Sequence, residues 1–295
     1  MAYQVEPSPP SAPKEGVQVA GIFDLLKMAE RLGIDVTDIA GAARRNDPQA
    51  WFDNKAFVGP SGRVSVEVPS GIDASNLQQY PTLSALVERA PSVEDYLSGS
   101  ELGRALGPSL SDYKVGVAPL VGSFRAGVTA PEYVDLPDGT RRLLQPGFMA
   151  VDPNYMSDAA GLIEHEITHV GQNVLGSPVG TNQADASLLV DYINSIGRSP
   201  VEDLPGQIKS MVPPNQVGRV PTLKYLHSMG EAEARAAQVR ADNPALQAAA
   251  PTVDQYKWNP ADLPVNSSLF YENYPGDINL AKDWWNNRWN KGGQQ

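Results

Sequence analysis

The chain has 295 residues, 41% of them hydrophobic, which is enough for one large domain or two small ones and too much for wholesale disorder. Its 23 Lys and Arg stand against 34 Asp and Glu, and a net charge of -11 repels phosphate backbones, so nucleic acid is not expected as a partner. The absence of cysteine excludes disulfide frameworks, thiolate metal sites and a Cys nucleophile. No apolar run reaches the roughly 18–20 residues that span a bilayer, so no membrane partner is expected.

Residues 1–16 carry Pro7, Pro9, Pro10 and Pro13 without an apolar pattern and read as a flexible tail. They lack the basic-then-apolar order of a signal peptide, so the expected location is cytoplasmic. Residues 17–92 read as a small, mainly helical region. Helical periodicity runs from Gly16 to about Arg45 with a break at Gly33, a strand is expected over Arg63 to Val68, and a helix over Thr82 to Ala90. Beyond Pro91 the spacing predicts a helix over Val93 to Leu106 and a strand over Asp112 to Ala118. A hairpin follows around Pro137-Asp138-Gly139, and then a strand over Gly147 to Asp152. Helices are expected over Ser157 to Leu175, Ala184 to Ile196 and Ser228 to Arg240. Residues 243–295 turn Pro-, Asn- and Trp-rich and read as an extended segment. The expected class is therefore α+β.

The helix from Ser157 contains His165-Glu166-Ile167-Thr168-His169, an HExxH pattern. Residues i and i+4 share a helix face, so two imidazoles can grip one divalent ion. The intervening Glu166 sits about 100° round the helix, placed to act as a general base on a water at the open position of the metal. Ile163, Ile167, Val170 and Val174 cluster on the opposite side and supply the core face. His165 and His169 are thereby left to a separate polar surface shared with Asp158, Gly161 and Gln172.

Zinc hydrolases use a third protein ligand. A metzincin would place Gly at position 172 and His at 175, where Gln172 and Leu175 stand. The segment Gly230 to Arg235, GEAEAR, offers Glu231 and Glu233. Ser228 with Glu231 forms a capping-box pattern, and Glu231 lies four residues before Arg235. The face of Glu231, Arg235, Gln238 and Asp242 therefore reads as exposed. Glu233 falls among Met229, Ala236, Ala237 and Arg240, where a buried carboxylate needs a partner. The expected metal ligands are His165, His169 and Glu233, with Glu231 and His227 as alternatives. Tyr225 and His227 are candidates to stabilise an oxyanion, against readings as a core Tyr and a solvated His. Arg235 or Arg240 can orient a carboxylate, and strand Gly147 to Asp152 can pair edge-to-edge with a substrate chain or serve as an ordinary sheet strand.

The order HExxH, connecting stretch, then a helix bearing E-A-E resembles the gluzincin clan of zinc metallopeptidases, and its spacing is similar to lethal-factor-type enzymes. Over residues 93–242 it resembles the metallopeptidase-like domains of phage and mobile-element polyvalent proteins. The likeness is carried by the HExxH helix with its trailing Gln172, by Tyr225 and by the GEAEAR block; at the entry segment Gly107 stands where that family has a Tyr. The resemblance implies a zincin-like fold, with a small mixed sheet over the HExxH helix and a glutamate-bearing helix beneath the metal. It implies a Zn²⁺ cofactor, a polypeptide substrate, and a site in the host cytoplasm or the virion. The alternative expectation is a virion structural or ejected protein using the fold as scaffold, with docking to phage proteins through the Pro-rich N-terminus and the run Trp284 to Trp289.

Overall fold

The computed structural model describes residues 21–33, 35–59, 62–68, 72–121, 124–176, 183–199, 229–256 and 281. Asp24 ends strand β1 (Ile22–Asp24) and caps helix α1 (Leu25–Leu32), its carboxylate accepting from the N–H groups of Leu26 and Lys27. Helices α2 (Thr37–Arg44) and α3 (Pro48–Asn54) lead into β2 (Ala56–Val58) and β3 (Val64–Glu67). These three strands form an antiparallel sheet in the order β1-β3-β2, with Phe23 opposite Val66 and Phe57 opposite Ser65. The region expected to be mainly helical thus also carries a sheet. Strand β3 lies within the strand expected over Arg63 to Val68, whereas β1 and β2, of three residues each, are too short for a period-2 pattern to stand out.

Helix α4 (Leu83–Arg89) matches the expected helix there. The helix expected over Val93 to Leu106 divides into α5 (Val93–Leu97) and α6 (Glu101–Leu106), because Gly99 takes a left-handed φ of 83° and Ser100 caps a new helix. Strand β4 (Tyr113–Val117) runs parallel to β8 (Gly147–Val151), and β5 (Ala126–Thr129) runs antiparallel to β8 on its other side. Strands β6 (Glu132–Asp135) and β7 (Arg141–Gln145) form the expected hairpin. Because β8 is the central strand of its sheet, both of its edges are already paired. It has no edge to offer a substrate chain and serves as an ordinary sheet strand.

Helix α7 (Ala159–Val174) packs its aliphatic face on this mixed sheet. Ile163, Ile167 and Val170 join Val115, Met149, Leu97 and Leu102 in one buried core, and that core also takes in Phe23 and Met28 from the N-terminal segment. Lys27 and Arg31 of α1 donate to the carbonyls of Gly176 and Val174, placing cations where the dipole of α7 is negative. Helix α8 (Gln183–Ser195) buries Leu189 and Ile193 against Ala281. Helix α9 (Met229–Asp242) lies against the other face of α7. The molecule is α+β with small sheets, and no helix among the described residues is long and apolar enough to cross a membrane.

Candidate metal centre

Helix α9 is buried almost all round. Ala232, Ala234, Ala236 and Ala237 are fully enclosed, and their small side chains let the helix approach α7 closely. The polar face of α7 expected from the sequence is therefore the seam between two helices. His165 and His169 stand on it one turn apart, with ring centroids 4.9 Å apart and ring planes at 78°. Their Nε2 atoms are 3.2 Å from each other.

The carboxylate that meets them is Glu231. One of its oxygens lies 3.5 Å from His165 Nε2 and the other 3.3 Å from His169 Nε2. His165, His169 and Glu231 form a group able to bind a metal ion. Glu231, the expected alternative, stands in this group and Glu233 does not. The face of Glu231 and Arg235, read as exposed because it is charged, is turned onto α7, leaving Glu231 2% and Arg235 4% exposed. The expected Glu231–Arg235 pair does form, at 3.4 Å, but in the interior, where it supports a carboxylate facing two imidazoles. Arg235 also donates to the carbonyl of Tyr256.

Glu233, two residues on, points elsewhere and accepts a 2.9 Å hydrogen bond from Gln172 Nε2. The same amide donates to the carbonyl of Gly230 at 3.1 Å, and Gln172 Oε1 lies 3.0 Å from His169 Nδ1. A carbonyl can only accept, so the amide nitrogen must face Gly230 and its oxygen must face the ring. That orientation makes His169 Nδ1 the protonated nitrogen and turns the Nε2 lone pair toward His165 and Glu231. His165 Nδ1 is buried with no hydrogen-bond partner among the described residues.

Burial raises the pKa of Glu231, but His165 and His169 outweigh it and hold the carboxyl well below its ordinary value. Burial favours a neutral His169, yet the Glu231 carboxylate, Glu166 and Gln172 together raise its pKa. Burial dominates at Glu233 and pushes it up to about 8, the Gln172 hydrogen bond and the charges of Arg63 and His169 opposing the rise only in part. Glu166 is 7% exposed; burial raises its pKa and Glu231 adds to the rise, while the charges of both histidines oppose it.

The cluster thus gathers two imidazole nitrogens and an ionised carboxylate around one point, with a second acid beside them. Such a set of donors could hold a metal ion. Arg240, the other candidate for orienting a carboxylate, instead binds Glu67 through two nitrogens, at 2.6 and 2.9 Å, and is structural. Tyr225 and His227, the Ser228 cap, the Pro-rich tail and the run Trp284 to Trp289 lie outside the described residues. Sequence reasoning did not assign Gln172 its contacts. A polar residue three positions after the second His, on the same face, was the available signal. No family model, no curated protein and no solved structure matches this chain.

Proposed function

We propose that the protein is a zinc-dependent metallopeptidase of gluzincin type, with His165, His169 and Glu231 as metal ligands and Glu166 as general base. One observation carries the reading. Four donors at about 2.0–2.1 Å from a tetrahedral zinc are spaced about 3.3–3.4 Å apart. The two Nε2 atoms here are 3.2 Å apart, one Glu231 oxygen is 3.3 Å from His169 Nε2 and the other 3.5 Å from His165 Nε2, and one ligand atom from each residue lies within 4.8 Å of the others, close enough to share one ion. The donor chemistry agrees, since two imidazoles and a carboxylate suit zinc and leave a coordination position for substrate.

Bound zinc would supply Lewis acidity and a water whose pKa falls toward about 7. The protein's own residues do the rest. Arg235 steadies the Glu231 carboxylate, and Gln172 fixes the ring of His169. In its ionised form the Glu166 carboxylate would accept a proton from the attacking water and then, as the carboxylic acid, donate it to the leaving amine nitrogen, a role worth about 10²–10⁴ in rate. His165 and His169 keep 13% and 10% of their side-chain surface exposed. The packing of the HExxH helix between a small mixed sheet and a glutamate-bearing helix supports the reading, as does the likeness of the two motif blocks to phage polyvalent-protein peptidases.

The test is elemental analysis of protein purified without added metal, alongside hydrolysis of unfolded casein. One zinc per chain is expected, lost in His165→Ala. Glu166→Gln keeps the zinc and loses hydrolysis by about 10²–10⁴-fold. Protein without zinc, or a Glu166→Gln variant with full hydrolysis, overturns the proposal.

A further inference from the structure

We infer that Gln172 and Glu233 form a positioning pair that fixes which nitrogen of His169 faces the centre and locks α9 to α7 beside the ligand Glu231. The inference rests on the metal-site reading above and assigns the second acid of the E-A-E segment a role other than ligation.

The geometry is specific. Gln172 is fully buried, and one amide makes three contacts: His169 Nδ1 at 3.0 Å, the Gly230 carbonyl at 3.1 Å and Glu233 Oε2 at 2.9 Å. His169 is on α7, Gly230 is the residue before Glu231, and Glu233 follows by two on the same helix. The Gln172 side chain thus ties a ligand on one helix to the backbone beside a ligand on the other.

Glu233 completes the arrangement. With Gly230 and Glu233 both accepting from its nitrogen, the amide has one orientation, and a flipped Gln172 would set its oxygen against two other oxygens. The Gln172 oxygen is then left to accept from His169 Nδ1, and His169 Nε2 carries the lone pair. Free imidazole has no such constraint. His165, whose Nδ1 has no partner among the described residues, lacks the device, so the two ligands are held unequally.

The experiment uses the full chain, with zinc alone as the probe, competed against a chelator. Outer partners of metal-bound histidines are worth about 10–100-fold in affinity. Gln172→Leu, close in volume, should therefore weaken zinc binding by about that factor while stoichiometry stays at one. Glu233→Leu should weaken it as well, and the double variant should be no weaker than Gln172→Leu, because Glu233 acts only through the amide. Glu233→Gln keeps an oxygen for Gln172 and should remain within a few-fold of wild type. If Gln172→Leu does not fold, the Glu233→Leu and Glu233→Gln comparison carries the test.

A second readout responds to positioning rather than to general stability. The ¹⁵N shifts of His169 should show the proton on Nδ1 in the wild-type protein and a loss of that preference in Gln172→Leu. Unchanged affinity and unchanged shifts in Gln172→Leu overturn the inference while leaving the metal site standing. Loss of zinc in Glu233→Gln as complete as in His165→Ala overturns it differently, by making Glu233 a ligand. A wild-type chain that binds no zinc but still shows the Nδ1 proton defeats the peptidase reading and leaves the positioning pair intact.

Discussion

Asp152 joins the end of β8 to the approach to α7. Its carboxylate accepts from the N–H groups of Leu120 and Asn154 and from the Asn154 side chain, and these bonds lower its pKa. A carboxyl whose folded pKa lies below its unfolded value adds stability above the unfolded value, near 3.8. That stability is lost as pH falls through the depressed folded value. Asp152→Ala should therefore lower the midpoint of thermal unfolding at pH 7, with the gap to wild type closing as the pH is taken below about 4. A gap that persists undiminished at pH 3 would mean the residue acts through packing instead. At this scale the site was only partly legible. The HExxH spacing identifies His165, Glu166 and His169 because helix geometry alone sets their face. The sequence does not separate Glu231 from Glu233, because the charged face of Glu231 and Arg235 reads as exposed and is buried. An ion pair with Arg235 can be satisfied as well inside a seam as outside it, and residue identity does not say which.

Helix α7 carries a buried glycine toward each end, and the two are not equivalent. A Cβ on Gly171 would sit 2.2 Å from the ring of Phe23, which is 1% exposed and locked in the core. One on Gly161 would sit 2.2 Å from the carboxylate of Asp242, an exposed residue at the end of α9 that accepts a hydrogen bond from the Gly161 N–H. Replacing either glycine by alanine gains about 1 kcal/mol of helix propensity. Gly171→Ala meets an overpacking cost of about 1–3 kcal/mol and should destabilise the protein on balance. Gly161→Ala can displace a mobile carboxylate at the loss of a cap worth about 1 kcal/mol, and should come out near neutral. Urea unfolding of both variants checks the ordering, and a Gly161→Ala as damaging as Gly171→Ala would show that Asp242 cannot move. The same helices explain what the sequence discloses about elements. Helix α7 is written clearly, because Ile163, Ile167 and Val170 repeat at helical spacing toward the sheet. Helix α9 has nearly every side buried, so no apolar stripe marks the face that meets α7. The short strands β1 and β2 carry no readable period at all.

Across the whole molecule, the N-terminal segment and the helices that carry the His165-His169-Glu231 group share one interior. Phe23 and Met28 enter the core that holds Ile167 and Val170, and β3 reaches α9 through the pair of Glu67 with the fully buried Arg240. Breaking a buried ion pair by removing one partner costs about 3–5 kcal/mol, because the remaining charge is uncompensated. Loss of a buried Phe costs about as much again. A domain of ordinary stability has about 5–15 kcal/mol in total. A fragment of residues 93–295 forfeits Glu67, Phe23, Met28 and the cations that Lys27 and Arg31 place at the end of α7, so these losses approach its whole stability. It should show no cooperative thermal transition by circular dichroism and bind no zinc, whereas the full chain melts in one transition. Glu67→Gln in the full chain should fall between, still folded but with a midpoint lowered by several degrees. A fragment that melts cooperatively and takes up zinc would mean that the centre is scaffolded by α7, α9 and the mixed sheet alone. The N-terminal sheet would then be an accessory to the site and not part of its foundation.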